Sequence, residues 1–204
     1  MKRLFSVFAT VLLLALATQA QEAPKQKFQA FGGTPDDRAS TRVGYANTEK
    51  KTFGQQFAID YGRPVWKKEY ENAATFDTMT KGKVWRFGSN FWTTLDTNVP
   101  LKIAGRDVPV GTWYLGLRRS EDGAQWSLVF IDPAKVRGVT LDAFAINKAP
   151  IEFEAPLTTE KATELKEKLT VTLTPQKDDV KNVTMRISWG QLQLSAPIVA
   201  KLEG

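Results

Sequence analysis

Alternating hydrophobic and polar positions dominate the chain from Phe53 onward, and this period of two residues is typical of half-buried β-strands. Phe57, Ile59 and Tyr61, for example, alternate with smaller or polar neighbours. Further strand-like runs occupy residues 84–87, 91–97, 101–103, 108–110, 112–119, 126–131, 151–153, 169–173, 185–189 and 192–194. Glycine, proline and aspartate separate many of these runs. The pattern therefore predicts many short strands joined by turns.

The turns and the scarcity of helical periodicity indicate how the strands are connected. Residues 104–107 and the Asp122-Gly123 pair are each placed to close a hairpin. Residues 159–168 are the one segment with helix propensity, and their few apolar positions predict one or two helical turns or none. No amphipathic helices separate the strands, which disfavours a parallel sheet. The expected fold is all-β, an antiparallel β-sandwich or flattened barrel with minor helix.

Residues 1–20 have the features of a secretory signal peptide. Lys2 and Arg3 supply the positive charge, and residues 4–17 form a nearly unbroken apolar run. This run is shorter than the roughly 20 residues that a transmembrane helix needs. Thr18 and Ala20 suit the small-residue positions of a cleavage site. We therefore expect export to the periplasm or the exterior of a bacterial cell, cleavage near Ala20, and no transmembrane span in the mature chain.

After the signal peptide the sequence divides into a tether and one domain. Residues 21–52 are polar and contain several glycines and prolines, which favours a tether with an early strand near residues 42–45. Residues 53–204 carry most of the strand-like runs and suit a single β domain. The chain has no cysteine, so burial of apolar surface must stabilise the domain without disulfide bonds.

The absence of histidine and cysteine restricts the chemistry that the chain can perform. It excludes Ser-His-Asp and Cys-His nucleophile pairs, and also zinc or haem sites built on imidazole or thiolate. Carboxylate, lysine, tyrosine or serine chemistry remains, or a hard-metal site made of oxygens. No calcium-loop motif is present, and the acidic pair Asp36-Asp37 lies beside turn residues as a solvated loop. We therefore expect no metal and no cofactor.

The charge pattern does not indicate a nucleic-acid partner. The formal net charge is +6, but the basic residues are spread along the chain and interleaved with acids. A nucleic-acid-binding surface would concentrate lysine and arginine on one stripe. A modest excess of this kind is typical of a soluble protein.

Two stretches combine arginine, asparagine and aromatic residues in a way that suits ligand binding. In residues 60–64 a strand ends in a turn with a tyrosine and an arginine, and in residues 82–94 a strand arginine precedes a turn with asparagine and tryptophan. Guanidinium and amide donors beside aromatic faces bind sugars, carboxylates and peptide backbones. The residues predicted to line a ligand cleft are Tyr61, Arg63, Arg86, Asn90 and Trp92. In the alternative interpretation, the two arginines and the asparagine only tie loops to backbone carbonyls.

Several short motifs occur in order along the same part of the chain. They are Tyr61-Gly-Arg63-Pro64, Gly82-Lys-Val-Trp85-Arg86, Gly88-x-Asn90, Val108-Pro109-x-Gly111-Thr112-Trp113, Ile187-Ser-Trp189-Gly190 and Ser195-Ala-Pro197-Ile198. Over roughly residues 53–199 this pattern resembles the exported bacterial proteins of domain of unknown function 2911. Phe91 stands where that family commonly carries an acidic residue, and Lys67-Lys68 replaces its Gly-Arg pair. The resemblance implies an exported β-rich domain and assigns no activity.

The sequence leaves two classes of function open. The first is a non-catalytic ligand-binding or envelope-associated module that holds a glycan, a peptide or a small anion. The alternative is a hydrolase or lyase that uses carboxylate, tyrosine or lysine groups on an envelope or extracellular substrate. Missing histidine and cysteine, and the absence of a Gly-x-Ser-x-Gly motif, disfavour the enzyme. Two carboxylates about 5 to 9 Å apart in a cleft would favour glycosidase chemistry.

Overall fold

The computed structural model describes residues 36–203. The predicted signal peptide at residues 1–20, and the part of the predicted tether before Asp36, lie outside the described residues. None of the helices within the described part of the chain is long and apolar enough to cross a membrane.

Strands account for most of the residues that the structure describes. In chain order they are β1 (Arg38–Asn47), β2 (Thr52–Gly62), β3 (Val84–Arg86), β4 (Thr93–Thr97), β5 (Leu101–Ile103), β6 (Arg106–Val108), β7 (Gly111–Arg119), β8 (Trp126–Ile131), β9 (Phe153–Pro175) and β10 (Asn182–Ala200). The helical segments are a 3-10 helix at Lys68–Glu71, α1 (Ala73–Thr80), α2 (Pro133–Arg137) and a 3-10 helix at Ala143–Lys148. The predicted all-β class with minor helix is confirmed.

The strands form one sheet in the order β1-β2-β4-β7-β8-β9-β10-β5-β6, and β3 also pairs with β7. Every pairing between these strands is antiparallel. The first five residues of β9 pair with β8, and its remaining length pairs with β10. Across the fold, the Leu169 amide donates to the Pro64 carbonyl, and Val65 forms an isolated bridge with Lys168. These contacts join the end of β2 to the middle of β9, so the sheet folds over itself as an antiparallel sandwich.

Two hydrophobic clusters lie on the two sides of the central strands. We call the larger one, between the layers, the inner core; its members include Phe57, Ile59, Phe87, Leu115, Leu128, Phe130, Val171 and Ile187. The outer core lies on the other side of β7 and β8 and consists of Tyr114, Val129, Ile131, Val136 and Ile146. Both clusters follow from strand alternation, because successive side chains point to opposite faces. A hairpin begins at residues 101–103 as expected, but its second strand is Arg106–Val108 and not residues 108–110, so the turn is Ala104-Gly105 and not residues 104–107.

The first strand lies inside the segment for which the sequence indicated a tether with an early strand. β1 spans Arg38–Asn47 and pairs with β2 over its whole length, with Val43 opposite Phe57. Val43 is buried, and Tyr45 packs against the inner core. Because β1 has few apolar residues, its alternation of buried and exposed side chains is visible only once its partner strand is known.

The structure decides between the helical alternatives left open by the sequence at residues 159–168, and it adds a helix elsewhere. Residues 159–168 are part of β9 and have no helical turn, because pairing with β10 overrides their weak helix propensity. Conversely, α1 forms at Ala73–Thr80, a segment in which the sequence showed neither a strand-like run nor helix propensity. The Asn72 side chain caps this helix by accepting a hydrogen bond from the Thr75 amide at 3.0 Å.

Candidate functional site

The two stretches selected from the sequence meet in the structure. Gly62 lies so close to Ser89 that a Cβ atom at this position would overlap the Ser89 carbonyl. Gly88 has a φ of +110°, and a Cβ there would lie 2.8 Å from the Gly62 carbonyl oxygen. Glycine is therefore required on both sides of the contact. The close approach brings the turn after β2 against the turn after β3.

Tyr61 and Arg63 lie on the side of this junction that faces β9. Tyr61 is buried in the inner core, and its hydroxyl oxygen accepts a hydrogen bond from the Val171 amide at 2.9 Å. Arg63 donates from Nε to the Leu169 carbonyl at 3.3 Å, and its Nη1 lies 3.8 Å from Asp37 Oδ1. Both side chains join the two layers of the sandwich. Neither lines the cleft described below.

A leading segment, whose two aspartates were expected to form a solvated loop, ties the junction together. We define it as Asp36, Asp37 and Arg38. Arg38 is ion-paired with Asp60 and donates to the carbonyls of Ser89, at 3.5 Å, and Trp92, at 3.2 Å. These partners are distant in the sequence, so no local signal marks the segment.

The two aspartates of the leading segment contact polar side chains on the other sides of the junction. Asp36 accepts a hydrogen bond from Asn90 Nδ2 at 3.0 Å. Asp37 Oδ2 lies 2.6 Å from Lys168 Nζ. The hydrogen bond from Lys168 lowers the pKa of the Asp37 carboxyl, and the charges of Lys168 and Arg63 add to this effect against a partial loss of hydration. Asp36 and Asp37 therefore bind an amide side chain and basic side chains of the junction, whereas the sequence had suggested that they form a solvated loop.

Arg86 lies on the opposite side of the junction, in an open cleft of about 340 Å³ that we call the Arg86 cleft. Its walls are formed by Val84, Trp85, Arg86, Gly88, Phe144, Ile146 and Asn147. The guanidinium carbon of Arg86 lies 3.9 Å from the centre of the Phe144 ring. Arg86 Nη1 donates to the Asn90 carbonyl at 3.0 Å. Asn90 adopts a left-handed conformation, with a φ of 62°, which shapes the turn around this contact.

The environment of Arg86 disfavours the charged form of its guanidinium. Partial burial lowers the pKa of the guanidinium, and the negative charge of Asp142 opposes that shift. Within residues 36–203 no carboxylate forms an ion pair or hydrogen bond with Arg86. The group is thus a partly desolvated cation whose one hydrogen bond is to a neutral carbonyl.

Trp92 belongs to a second aromatic–arginine stack against the same outer core. Its ring lies parallel to that of Tyr114, with centres 4.7 Å apart and an interplanar angle of 2°. The guanidinium of Arg137 lies 5.3 Å from the Tyr114 ring and donates from Nε to its hydroxyl at 2.9 Å. Sequence reasoning found Trp92 but missed Tyr114 and Arg137. Of the five predicted site residues, Arg86 is the one that lines the cleft.

A family model described as "Protein of unknown function (DUF2911)" matches residues 45–198. The chain belongs to this family. The match confirms the resemblance inferred from the motifs, and the DUF2911 region contains all five predicted site residues and Phe144. The leading segment precedes the matched region of this DUF2911 protein. No curated protein and no solved structure matches the chain.

Proposed function

We propose that this DUF2911 domain is a non-catalytic binding module that holds a small carboxylate ligand in the Arg86 cleft. The observation that supports this proposal is that Arg86 has no carboxylate partner among the described residues. Every other half-buried arginine in residues 36–203 pairs with a carboxylate. These pairs are Arg38–Asp60, Arg63–Asp37, Arg118–Glu154, Arg119–Asp77 and Arg186–Glu160. A partly buried guanidinium needs a charged or strongly polar partner, and a bound anion would supply one.

The stacking of Arg86 on Phe144 suits a planar anion. A ring below the guanidinium occupies one of its faces and leaves the N–H groups around its edge available. Apart from the Nη1 bond to Asn90, no other donor of Arg86 has a protein partner in the described part of the chain. A carboxylate can accept two parallel hydrogen bonds from such an edge. The cleft volume of about 340 Å³ lies at the lower end of the range for small-molecule sites, which suits a ligand the size of one sugar or amino acid.

The wall of the Arg86 cleft favours binding over hydrolysis. The residues that line it, all within the described part of the chain, include no aspartate, glutamate, lysine or tyrosine. The predicted alternative of a hydrolase or lyase would need such a group within reach of the ligand. The cleft therefore offers recognition chemistry, in the form of a cation, an aromatic face and a side-chain amide.

Export is part of the proposal, because it determines which ligands the cleft meets. The signal peptide predicted at residues 1–20 would deliver the domain to the periplasm or the exterior, where glycans and peptides with free carboxylates occur. Sequencing the N-terminus of the protein purified from the bacterial envelope or the culture medium tests this point. We expect the mature chain to begin at Gln21, and a chain in the cytoplasm that retains Met1 would contradict export.

Titrations followed by ¹H–¹⁵N NMR test the ligand class. Glucuronate represents an acidic sugar, alanylalanine represents a peptide carboxylate, and glucose is the neutral control. We expect at least one carboxylate to shift the amide signals of Gly88, Phe144 and Asn147, and glucose to leave them in place. Arg86→Gln should weaken this binding by roughly tenfold, since a hydrogen bond to a charged group is worth about 1.5–3 kcal/mol.

The matched control removes an arginine that the proposal does not use. Arg106 is exposed on β6 and lies outside the Arg86 cleft, so Arg106→Gln changes the net charge equally and should leave binding unchanged. Equal losses in the two variants would show that only overall charge matters. Unchanged signals at the cleft with both carboxylates would contradict the proposed function.

A further inference from the structure

The side chains that line the Arg86 cleft restrict the kind of carboxylate that it suits. Apart from Arg86 and Asn147, the described side chains that line it are all aliphatic or aromatic. The indole N–H of Trp85 is buried and offers no donor to the cleft. A sugar acid carries several hydroxyl groups, which would find only the Asn147 amide as a neutral side-chain partner. The cleft therefore suits a carboxylate that carries an apolar group.

Phe144 is the most exposed apolar side chain of the cleft, at 74 %. Its ring centre lies 3.9 Å from the guanidinium carbon of Arg86. A carboxylate bound to Arg86 therefore has its neighbouring atoms close to this ring. Contact between the ring and an apolar group removes hydrocarbon surface from water on both partners, which favours binding.

The strand β3 has an open edge beside the same cleft. It pairs with β7 on one side, and no strand among residues 36–203 pairs with its other side. The Arg119 amide donates to the Lys83 carbonyl at 3.2 Å, so these two residues form a hydrogen-bonded pair. Such pairs alternate along an antiparallel ladder, so the backbone N–H and C=O groups of Val84 and Arg86 point away from β7. Within the described part of the chain these groups have no backbone partner.

A peptide carries the groups that would complete this edge. An extended peptide presents alternating N–H and C=O groups and can add as a strand to an open sheet edge, whereas a fatty acid or a sugar acid has no such repeat. The lining residues, all in the described part of the chain, include no acid that could pair with an α-ammonium group. A free amino acid therefore suits the cleft less well than the end of a peptide.

We propose that the Arg86 cleft binds the carboxyl terminus of a peptide whose last residue is apolar. The terminal carboxylate accepts hydrogen bonds from Arg86, the last side chain packs against Phe144, and the preceding backbone pairs with the open edge of β3. This inference rests on the carboxylate binding proposed above and specifies the class of ligand.

Calorimetric titration of the protein with four compounds tests the proposal. The reference ligand is acetyl-alanyl-alanyl-leucine. Its glycine analogue lacks the apolar side chain, its C-terminal amide lacks the carboxylate, and glucuronate lacks the peptide backbone. We expect the leucine peptide to bind about tenfold more tightly than the glycine peptide, because part of the leucine side chain leaves water. The amide should bind about tenfold more weakly than the acid, since it has no charge to pair with Arg86.

Hydrogen exchange followed by NMR tests the pairing with β3. The amides of Val84 and Arg86 should exchange rapidly in the free protein and slow down at least tenfold when the leucine peptide binds. Glucuronate should not protect them. The Trp85 amide points towards β7 and provides the internal control, because its exchange should be slow with and without peptide.

Two variants separate the carboxylate contact from the apolar contact. Arg86→Gln should weaken both peptides about tenfold and leave the ratio of their affinities unchanged. Phe144→Ala should reduce that ratio from about tenfold to about twofold. Phe53→Ala is the matched control, since its ring is also exposed and lies outside the cleft, and it should change neither affinity.

The outcomes distinguish this inference from the function on which it rests. Equal affinities for the leucine and glycine peptides, an unchanged ratio in Phe144→Ala, or peptide binding without protection of Val84 and Arg86 would overturn the inference and leave carboxylate binding intact. Binding of glucuronate but not of the leucine peptide would have the same meaning. If no carboxylate binds, or if the amide binds as tightly as the acid, both the inference and the proposed function are wrong.

Discussion

Two arginines on the paired strands β3 and β7 stack on aromatic rings, yet their surroundings differ. Arg119, at the end of β7, donates to Asp77 at 2.7 Å, to Thr80 at 2.9 Å and to the Gly123 carbonyl at 2.9 Å. Its guanidinium lies 5.6 Å from each of the rings of Phe76 and Trp126. We call this region the Arg119 junction.

Arg86 has the ring of Phe144 and one backbone carbonyl. Because an arginine has five N–H donors, the Arg119 junction uses most of its hydrogen-bonding capacity within the protein, while the Arg86 cleft leaves most of it unused. The comparison shows that a cation beside an aromatic ring does not by itself mark a binding site. The number of donors left without a protein partner distinguishes the binding arginine from the structural one.

The largest expected difference between the two regions is the loss of stability when the arginine is replaced. Arg119→Met should lower the free energy of unfolding by about 3 kcal/mol, because the side chain is only 15 % exposed and the change breaks a network that fixes α1. Arg86→Met should lower it by less than about 1 kcal/mol. Urea denaturation followed by tryptophan fluorescence measures both values. Similar losses in the two variants would mean that Arg86 is also structural.

The aromatic rings beside the two arginines should differ in the same direction in their contribution to stability. Phe76 is half-buried against Trp66 and Trp126, so Phe76→Ala should cost about 2 kcal/mol of stability through lost packing. Phe144 is 74 % exposed, and Phe144→Ala should change stability by no more than about 0.5 kcal/mol. The same denaturation experiment applies, and a large loss for Phe144→Ala would assign its ring to the core.

The stabilisation of the folded protein by a bound carboxylate should depend on Arg86. A carboxylate at ten times its dissociation constant should stabilise the folded protein by about 1.4 kcal/mol and raise the melting temperature by roughly 3–5 °C. Arg86→Gln, with its affinity lowered about tenfold, should reduce this stabilisation to about 0.4 kcal/mol at the same ligand concentration. Differential scanning fluorimetry with glucuronate, and with sodium chloride at matched ionic strength, measures the effect. A rise of equal size in Arg86→Gln would place the bound carboxylate elsewhere.

The smallest expected difference concerns pH. Hydrogen bonds from Lys81 and then from Arg119 lower the pKa of the Asp77 carboxyl in the folded protein. Stability from this group is therefore fully present above the carboxyl pKa of the unfolded chain, and is lost as pH falls through the lower folded value. Asp77→Asn should remove this part of the acid dependence, measured by urea denaturation between pH 5 and pH 2. Arg86→Gln should leave the dependence unchanged, and an altered slope there would reveal a carboxylate partner.

Strand alternation made most of the fold predictable from the sequence. Residues 112–119 were expected to form a strand, and in β7 the alternate residues Trp113, Leu115 and Leu117 all pack in the inner core. The weak point was β1, where burial at Val43 and Tyr45 depends on a partner strand. Helix α1 was missed because it is fixed by Arg119, which lies far along the chain.

The candidate site was predictable only in part, for a related reason. The close approach of the two turns requires glycine at positions 62 and 88, and the sequence displays both residues without indicating that they meet. Phe144 comes from a short 3-10 helix without a periodic pattern, and its contact with Arg86 depends on how residues 143–148 pack on the outer core. The polar partners of Arg63 and Asn90 come from the leading segment, and pairing across such distances has no local sequence signature.

The strand β8 has a consequence for the chain before it folds. Its six residues, Trp126–Ile131, carry no charge and no proline, and the inner and outer cores cover the strand on its two faces. An uncharged segment of this length with high β-propensity is prone to assemble with copies of itself when it is exposed. Aspartates at positions 122 and 132, together with Pro133, flank it on either side and interrupt such stacking. The strand that is best protected in the finished domain is thus the one that most needs its flanking residues while the chain is unfolded.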